Sequence, residues 1–343
     1  MDDAVDARLT TPTEPRLETH RVELTGFCYR MLGSGFEAED AVQETLLRAW
    51  RSFGRYDESR ASLRTWLFTI ATRVCLDMLR STQRRARAMD LGPASPVGAA
   101  LGVPLSENVW IQPVPDSLVI GPAEGGDPAD LVARRETIRL AFVAALQHLP
   151  PRQRVVLILR DVLCWTAAET AGLLESTVAS VNSALQRARS TMEGVDLAPA
   201  DTFRPMGADQ RRLLSRYCEA FEHYDVATLV SLLHEDATMS MPPFVWWLRG
   251  RADIRRTLIA AGNPCEGARL LPCVANGAPA FAQYRPGGPD GRYMPFALLV
   301  LEVADGLITE TTTCLDAERL FPLFGLPTGI DRPWARTDEF LAR

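Results

Sequence analysis

Ala38-Glu39-Asp40-Ala41-Val42-Gln43-Glu44-Thr45-Leu46-Leu47-Arg48-Ala49-Trp50-Arg51-Ser52-Phe53 decides how this chain is read. Ala38, Ala41, Val42, Leu46, Ala49, Trp50 and Phe53 recur at three- and four-residue steps. That spacing predicts one buried face on an α-helix. Asp40, Gln43, Glu44, Leu47 and Arg48 fall on the opposite face. A solvated face has no need of Leu47, whereas a contact surface does.

A second helix is expected from Thr65 to Arg87. Leu67, Ile70, Ala71, Val74, Cys75, Met78 and Leu79 form its apolar stripe, and Thr69, Arg73, Asp77, Arg80, Arg84 and Arg87 its polar face. Between Arg60 and Arg87 seven arginines meet one acid, Asp77, although the whole chain carries a net charge of −6. A one-sided arginine face is the footprint of phosphate binding; a merely solvated face is the plain alternative. All basic side chains are Arg, with no Lys, and the planar guanidinium suits phosphate.

Residues 88–133 hold six acids, no basic residue, seven Pro and six Gly. Such a composition predicts a linker that sustains no helix and buries little. Within it, Val109-Trp110-Ile111-Gln112-Pro113-Val114-Pro115-Asp116 is apolar enough to dock on a neighbouring domain. Trp110, Pro113 and Asp116 are its marked residues.

Helices return over 134–194. Pro151 suits a first helical turn, and Val155 to Leu159 should be buried. Thr166 and Glu169 have capping-box spacing, so a short helix starts there and ends near Leu174. After Glu175-Ser176, a last helix sets Val178, Val181, Leu185, Ala188 and Met192 on one seam. Thr177, Ser180, Asn182, Ser183, Gln186, Arg187 and Arg189 lie outside that seam. Two short helices, a tight turn and a polar outer face describe a helix-turn-helix, whose second helix enters the major groove. An ordinary helical hairpin has the same pattern.

The ordered pieces Ala38–Trp50, Tyr56–Arg60 and Leu63–Ala71 closely resemble region two of sigma-70 family factors, in the short extracytoplasmic-function form. Leu149-Pro150-Pro151-Arg152-Gln153-Arg154 and Ser180-Val181-Asn182-Ser183, with Arg187-Ala188-Arg189, resemble region four. The resemblance implies that Asp40, Gln43, Glu44, Leu47 and Arg48 bind core RNA polymerase. It implies that Arg60, Arg64, Trp66, Thr69, Arg73, Arg80, Arg84 and Arg85 open promoter DNA at the minus-ten element. Trp66 either stacks on an unstacked base or belongs to the core. The exposed residues of the last helix would read the minus-thirty-five element. Asn182 to Gln186 is less basic than many members, which leaves the promoter sequence open.

Residues 207–330 predict an amphipathic helix from Arg211 to Leu233, a strand over Ala237–Pro243 and a helix from Gly250. Strands follow at 269–275, 278–285, 293–302 and 306–314. Phe244-Val245-Trp246-Trp247 reads as core or cavity wall. The order, with His234-Glu235-Asp236-Ala237-Thr238 and Gly250-Arg251, resembles the SnoaL/ketosteroid-isomerase-like cone. Some members of that fold are enzymes, and Tyr217, His223, Tyr224, Asp236 and Asp253 are the candidate side chains here. They form no complete catalytic set, and fold alone does not assign chemistry.

The expected class is therefore multidomain: two all-α domains, 14–87 and 134–194, the second a helix-turn-helix, then an α+β cone. Seven Cys without a C-x-x-C pair, and four His without ligand spacing, argue against a disulfide framework or a zinc site. No cofactor is expected. The acidic MDDAVDARLT start and the lack of a long apolar run give a cytoplasmic, non-membrane expectation. The implied partners are core RNA polymerase and promoter DNA, with a possible small-molecule ligand in the last domain, which the resemblance casts as a regulator in cis. The rival readings are a ligand-sensing helix-turn-helix regulator, and an isomerase-type enzyme with a DNA-binding appendage.

Overall fold

In a computed structural model, residues 13–80, 84–121, 128–193, 207–262, 264–287 and 291–331 are described. They form two compact units. The first comprises residues 1–83, 117–122 and 146–195, and the second 84–116, 123–145 and 196–343.

In the first unit α1 (Thr13–Glu18), α2 (Arg21–Leu32), α3 (Gly35–Ser52) and α4 (Leu63–Met78) make one bundle. Ser34 and Ser62 cap α3 and α4 by accepting from the N–H of Glu37 and Thr65, which satisfies otherwise orphaned donors. Phe27 meets Phe68 edge to face at 5.3 Å, and Phe68 meets Trp165 at 5.3 Å. That second contact joins the bundle to the helix-turn-helix. Arg154 is buried there and donates to the Met31 carbonyl and, at 2.6 Å, to Gln147 Oε1. A guanidinium at the C-terminal end of α2 also complements the helix dipole.

The chain continues through α5 (Ala88–Leu91), α6 (Asp116–Val119), α7 (Pro128–Glu136) and α8 (Leu140–Leu146). Then come α9 (Pro151–Leu157), prolonged by a wider turn to Val162, α10 (Ala167–Leu173) and α11 (Val178–Glu193). Val155 to Leu159 is buried. Thr166 and Glu169 form the reciprocal capping box, with Glu169 N–H donating to Thr166 Oγ1 at 3.2 Å and Thr166 N–H to Glu169 Oε2 at 2.8 Å.

The second unit is built on a six-stranded sheet ordered β2-β1-β6-β5-β4-β3. Its strands are β1 (Leu233–Ser240), β2 (Trp247–Arg249), β3 (Arg269–Ala275), β4 (Ala278–Pro286), β5 (Tyr293–Ala304) and β6 (Leu307–Cys314). Only β1 and β6 pair in parallel among the described strands. The helices α12 (Ala208–Glu222), α13 (Val226–Ser231) and α14 (Arg251–Ala260) belong to the same unit, and α15 (Ala317–Leu323) closes it. Leu214, Tyr217, Leu248, Phe281, Leu299 and Leu301 share one core cluster.

Several expectations are corrected. The helix expected to reach Arg87 stops at Met78, and Ala86 is extended chain paired with Trp110. The linker expected to sustain no helix holds α5, α6 and the start of α7, while its Val109–Asp116 piece, expected to dock, buries Trp110, Ile111 and Val114. Residues 134–145, expected with the helix-turn-helix, cluster with the sheet unit. The helix expected to run to Leu233 breaks at Tyr224, whose φ is 53°, and Asp225 caps α13 by accepting from Thr228 N–H. The expected Ala237–Pro243 strand starts earlier and ends at Ser240. Trp50 and Val178, expected on buried faces, are 61% and 44% exposed. Trp246 and Trp247 are buried.

Candidate functional site

Three polar surfaces carry the expected functional residues. On α3 the inward face is Ala38, Ala41, Val42, Thr45, Leu46 and Ala49. Asp40, Gln43 and Arg48 are exposed on the other side and Glu44 is half-buried. Arg48 pairs with Glu44 at 2.6 Å. Leu47 is 40% exposed beside the open Trp50 ring. Two large apolar side chains thus lie open among charged ones on this face.

The second surface is uneven. Trp66 is half-buried, not core. It lies 5.0 Å from the Tyr56 ring and 6.2 Å from Phe53, so the three rings form one aromatic platform. Arg60 is exposed. Thr69 turns its hydroxyl inward, donating to the Thr65 carbonyl at 2.9 Å. Arg64 is held by Glu23 and lies 5.2 Å over Phe68 and 5.0 Å over Trp165. Arg73 pairs with Glu175 in the helix-turn-helix. Arg80 is exposed, with Asp77 at 3.3 Å. Arg84 is exposed.

Arg85 belongs to the second unit and is only 4% exposed. Its guanidinium donates to the carbonyls of Glu107 and Trp110, each at 2.8 Å. In this conformation it cannot reach a phosphate.

The third surface is α11. Thr177 caps it through the Ser180 N–H at 3.1 Å. Thr177, Ser180, Asn182, Ser183, Gln186, Arg187 and Arg189 are all exposed, above a seam of Val181, Leu185 and Ala188. Arg189 makes a two-pronged pair with Asp161 at 2.9 and 2.7 Å. The helix thus presents short polar side chains able to donate and accept at base edges.

In the sheet unit the five candidate side chains do not converge. Tyr217 is inside the core against Phe281, and burial pushes its hydroxyl pKa far up. Tyr224 donates to the Leu258 carbonyl at 2.9 Å and is pushed up to about 12 by burial. His223 and Asp236 are exposed, and Asp253 pairs with Arg256. No nucleophile–base or acid–base pair arises from them.

Trp110 sits with Ala88 and Trp247 in a small cluster. Pro113 is buried beside it. Asp116 Oδ1 accepts from the Gly277 N–H at 2.8 Å, and burial raises its carboxyl pKa. A cleft of about 300 Å³ runs along Trp110, Ile111, Pro113, Pro243, Leu315 and Leu320. Sequence reasoning missed Asn276, Arg154 and Arg139. The Asn276-Gly277 pair was legible as a turn, but not as a grip on distant chain.

Among the described residues no helix is long and apolar enough to cross a membrane. The model of Sigma-70 region 2 matches residues 17–85, that of Sigma-70 region 4 matches 139–192, and that of the SnoaL-like domain matches 214–311. The ECF RNA polymerase sigma factor SigG of Mycobacterium tuberculosis is 44% identical over 317 residues, covering 91% of this chain and 83% of that protein. SigJ of the same organism is 28% identical over 301 residues, covering 85% and 88%. The crystal structure of Mycobacterium tuberculosis SigJ aligns with a TM-score of 0.58 at 24% identity, covering 92% of this chain and 99% of that one.

Proposed function

The chain belongs to the extracytoplasmic-function RNA polymerase sigma factors, and from that premise we propose how its surfaces divide the work. As a sigma factor it binds core RNA polymerase and directs promoter-specific transcription initiation. Core polymerase docks on the α3 face, with Leu47 and Trp50 as apolar anchors and Asp40, Gln43, Glu44 and Arg48 around them. The exposed Trp50 ring is the observation that carries this assignment, since a monomeric bundle gains nothing by leaving it open. Arg60, Arg80, Arg84 and the Trp66 platform act on the minus-ten element. Unstacked bases gain about 1–3 kcal/mol each on aromatic rings, which offsets opening. The α11 face reads the minus-thirty-five element.

The sheet domain regulates these functions in cis, in the cytoplasm, without catalysis of its own. Support comes from its hold on Arg85 and Trp110 and from the scatter of its polar candidates. The cleft along Ile111 and Pro113 is where a small apolar ligand would act on that hold; its volume is at the low end for ligand pockets. The direct test is run-off transcription with purified chain and core polymerase, comparing the full chain with one lacking residues 207–343. Specific start sites are expected from both, at different yields. No core-polymerase pull-down by either form would sink the α3 assignment.

A further inference from the structure

Helix α11 opens on two apolar residues that its hydrophobic seam does not use. Val178 and Ala179 are its first residues, directly after the Thr177 cap. The seam itself is Val181, Leu185 and Ala188, all buried. Val178 is instead 44% exposed, and Ala179 is exposed beside it. Together they make an open apolar end on a helix whose other exposed residues are polar. In a helix-turn-helix the N-terminal residues of the second helix meet base edges, so this end is placed for the floor of the major groove.

Chemistry limits what such an end can recognise. A valine side chain has no hydrogen-bonding atom and gains only from apolar contact. In the major groove thymine carries a methyl group and the other three bases do not. Val178, Asn182 and Gln186 follow at four-residue steps, which sets them in one row on the helix surface. The row is about 12 Å long, or about three to four base-pair steps at 3.4 Å each. Asn182 and Gln186 are exposed. Each amide carries a donor and an acceptor, the complement of the N6 donor and N7 acceptor of adenine.

Guanine is read best by arginine, and this row has none to offer. Residues 177–192 hold two arginines and no acid. Arg189 is held by Asp161 in its two-pronged pair at 2.9 and 2.7 Å. Arg187 stands about 100° round the helix from Gln186, off the row.

We propose that α11 reads A·T pairs: Val178, with Ala179 beside it, packs on a thymine methyl, and Asn182 and Gln186 each bridge the donor and acceptor of an adenine. Val178 is thereby a specificity-determining residue, selecting thymine at its base pair. The proposal rests on the assignment of α11 to the minus-thirty-five element and gives that element its bases.

The test uses the full chain with core polymerase. Wild type, Val178→Ala and Asn182→Ala each select upstream elements from a randomised pool by run-off transcription. Each thymine of the wild-type element is then replaced singly by deoxyuridine, which lacks only the methyl, and each adenine by 7-deazaadenine, which lacks the N7 acceptor. One deoxyuridine is expected to lower the wild-type yield about fourfold, the worth of one buried methyl-sized group, and to leave the Val178→Ala yield unchanged. One 7-deazaadenine should lower the wild-type yield about tenfold and leave Asn182→Ala unmoved. The base analogues alter no residue, so a folding defect cannot imitate their effect. A selected element without thymine, or equal deoxyuridine sensitivity in wild type and Val178→Ala, would overturn the methyl contact and leave α11 as the upstream reader. Selection of one and the same element by all three proteins would overturn the assignment of α11 itself, and the proposal with it.

Discussion

The two DNA-facing surfaces are made of similar residues and end differently. On α11 all seven expected residues are exposed, and the short ones have no tertiary competitor. On region two, Arg64, Arg73 and Arg85 are drawn to Glu23, Glu175 and the Glu107 and Trp110 carbonyls. On a helix, short side chains such as Ser, Thr and Asn reach little beyond their own turn, so helical position decides where they point. An arginine reaches several ångströms further and carries a charge, so whichever acceptor the tertiary fold brings near can claim it. Periodicity therefore predicts a short-residue face better than an arginine face.

The largest expected effect probes what claims Arg85. Trp110→Ala removes a buried ring packed on Ala88 and Trp247, at a cost of about 3–5 kcal/mol. Chemical denaturation of the full chain measures it; a loss under about 1 kcal/mol would mean the segment merely rests on the domain. Next, Leu47→Ala with Trp50→Ala should weaken core-polymerase binding by about 3 kcal/mol, some hundredfold, without lowering Tm. Unaltered binding in a titration would move the polymerase face off α3.

Glu302 gives a pH-dependent effect. Burial pushes its carboxyl up to about 7, against the pull of Arg139. The folded form then binds the proton more tightly than the unfolded one. Stability from this group is full below the ordinary value near 4.5 and is lost as pH rises toward about 7. Glu302→Gln should flatten that slope, worth on the order of 3 kcal/mol. Identical unfolding curves for the two proteins across pH 5–8 would rule this out.

Smaller effects sharpen the contrast between the surfaces. Gln186→Ala should change preference at one upstream base pair by about 1–2 kcal/mol, seen as an altered position in a randomised promoter selection. Arg73→Ala removes an exposed pair with Glu175 and should cost under about 1 kcal/mol. A larger loss of stability would show that this pair, rather than the Phe68–Trp165 contact, holds the two domains together.

Local pattern made much of the molecule legible. The β-strands expected at 269–275, 278–285, 293–302 and 306–314 lie within two residues of those observed, because Gly, Pro and Asn turns punctuate them. The α3, α10 and α11 helices and the capping box were equally visible. Trp50 and Val178 misled the reading, since apolar character says that a residue avoids water but not whether a partner protein supplies the cover. At 88–133 composition misled only about helices; the Val109–Asp116 piece, marked by its apolar residues, is extended chain that needs only acceptors and an apolar bed, which the sheet domain provides.

By itself the sequence determined the elements, their buried faces and the family resemblance, because spacing along a helix or strand sets side-chain direction within a few residues. The tertiary structure decided which arginines remain for DNA, that Trp110 is buried, and that Asn276 holds Val114 and Ile138 together. Those outcomes depend on groups between 22 and 162 positions apart in the chain, which only the tertiary fold brings within reach of one another.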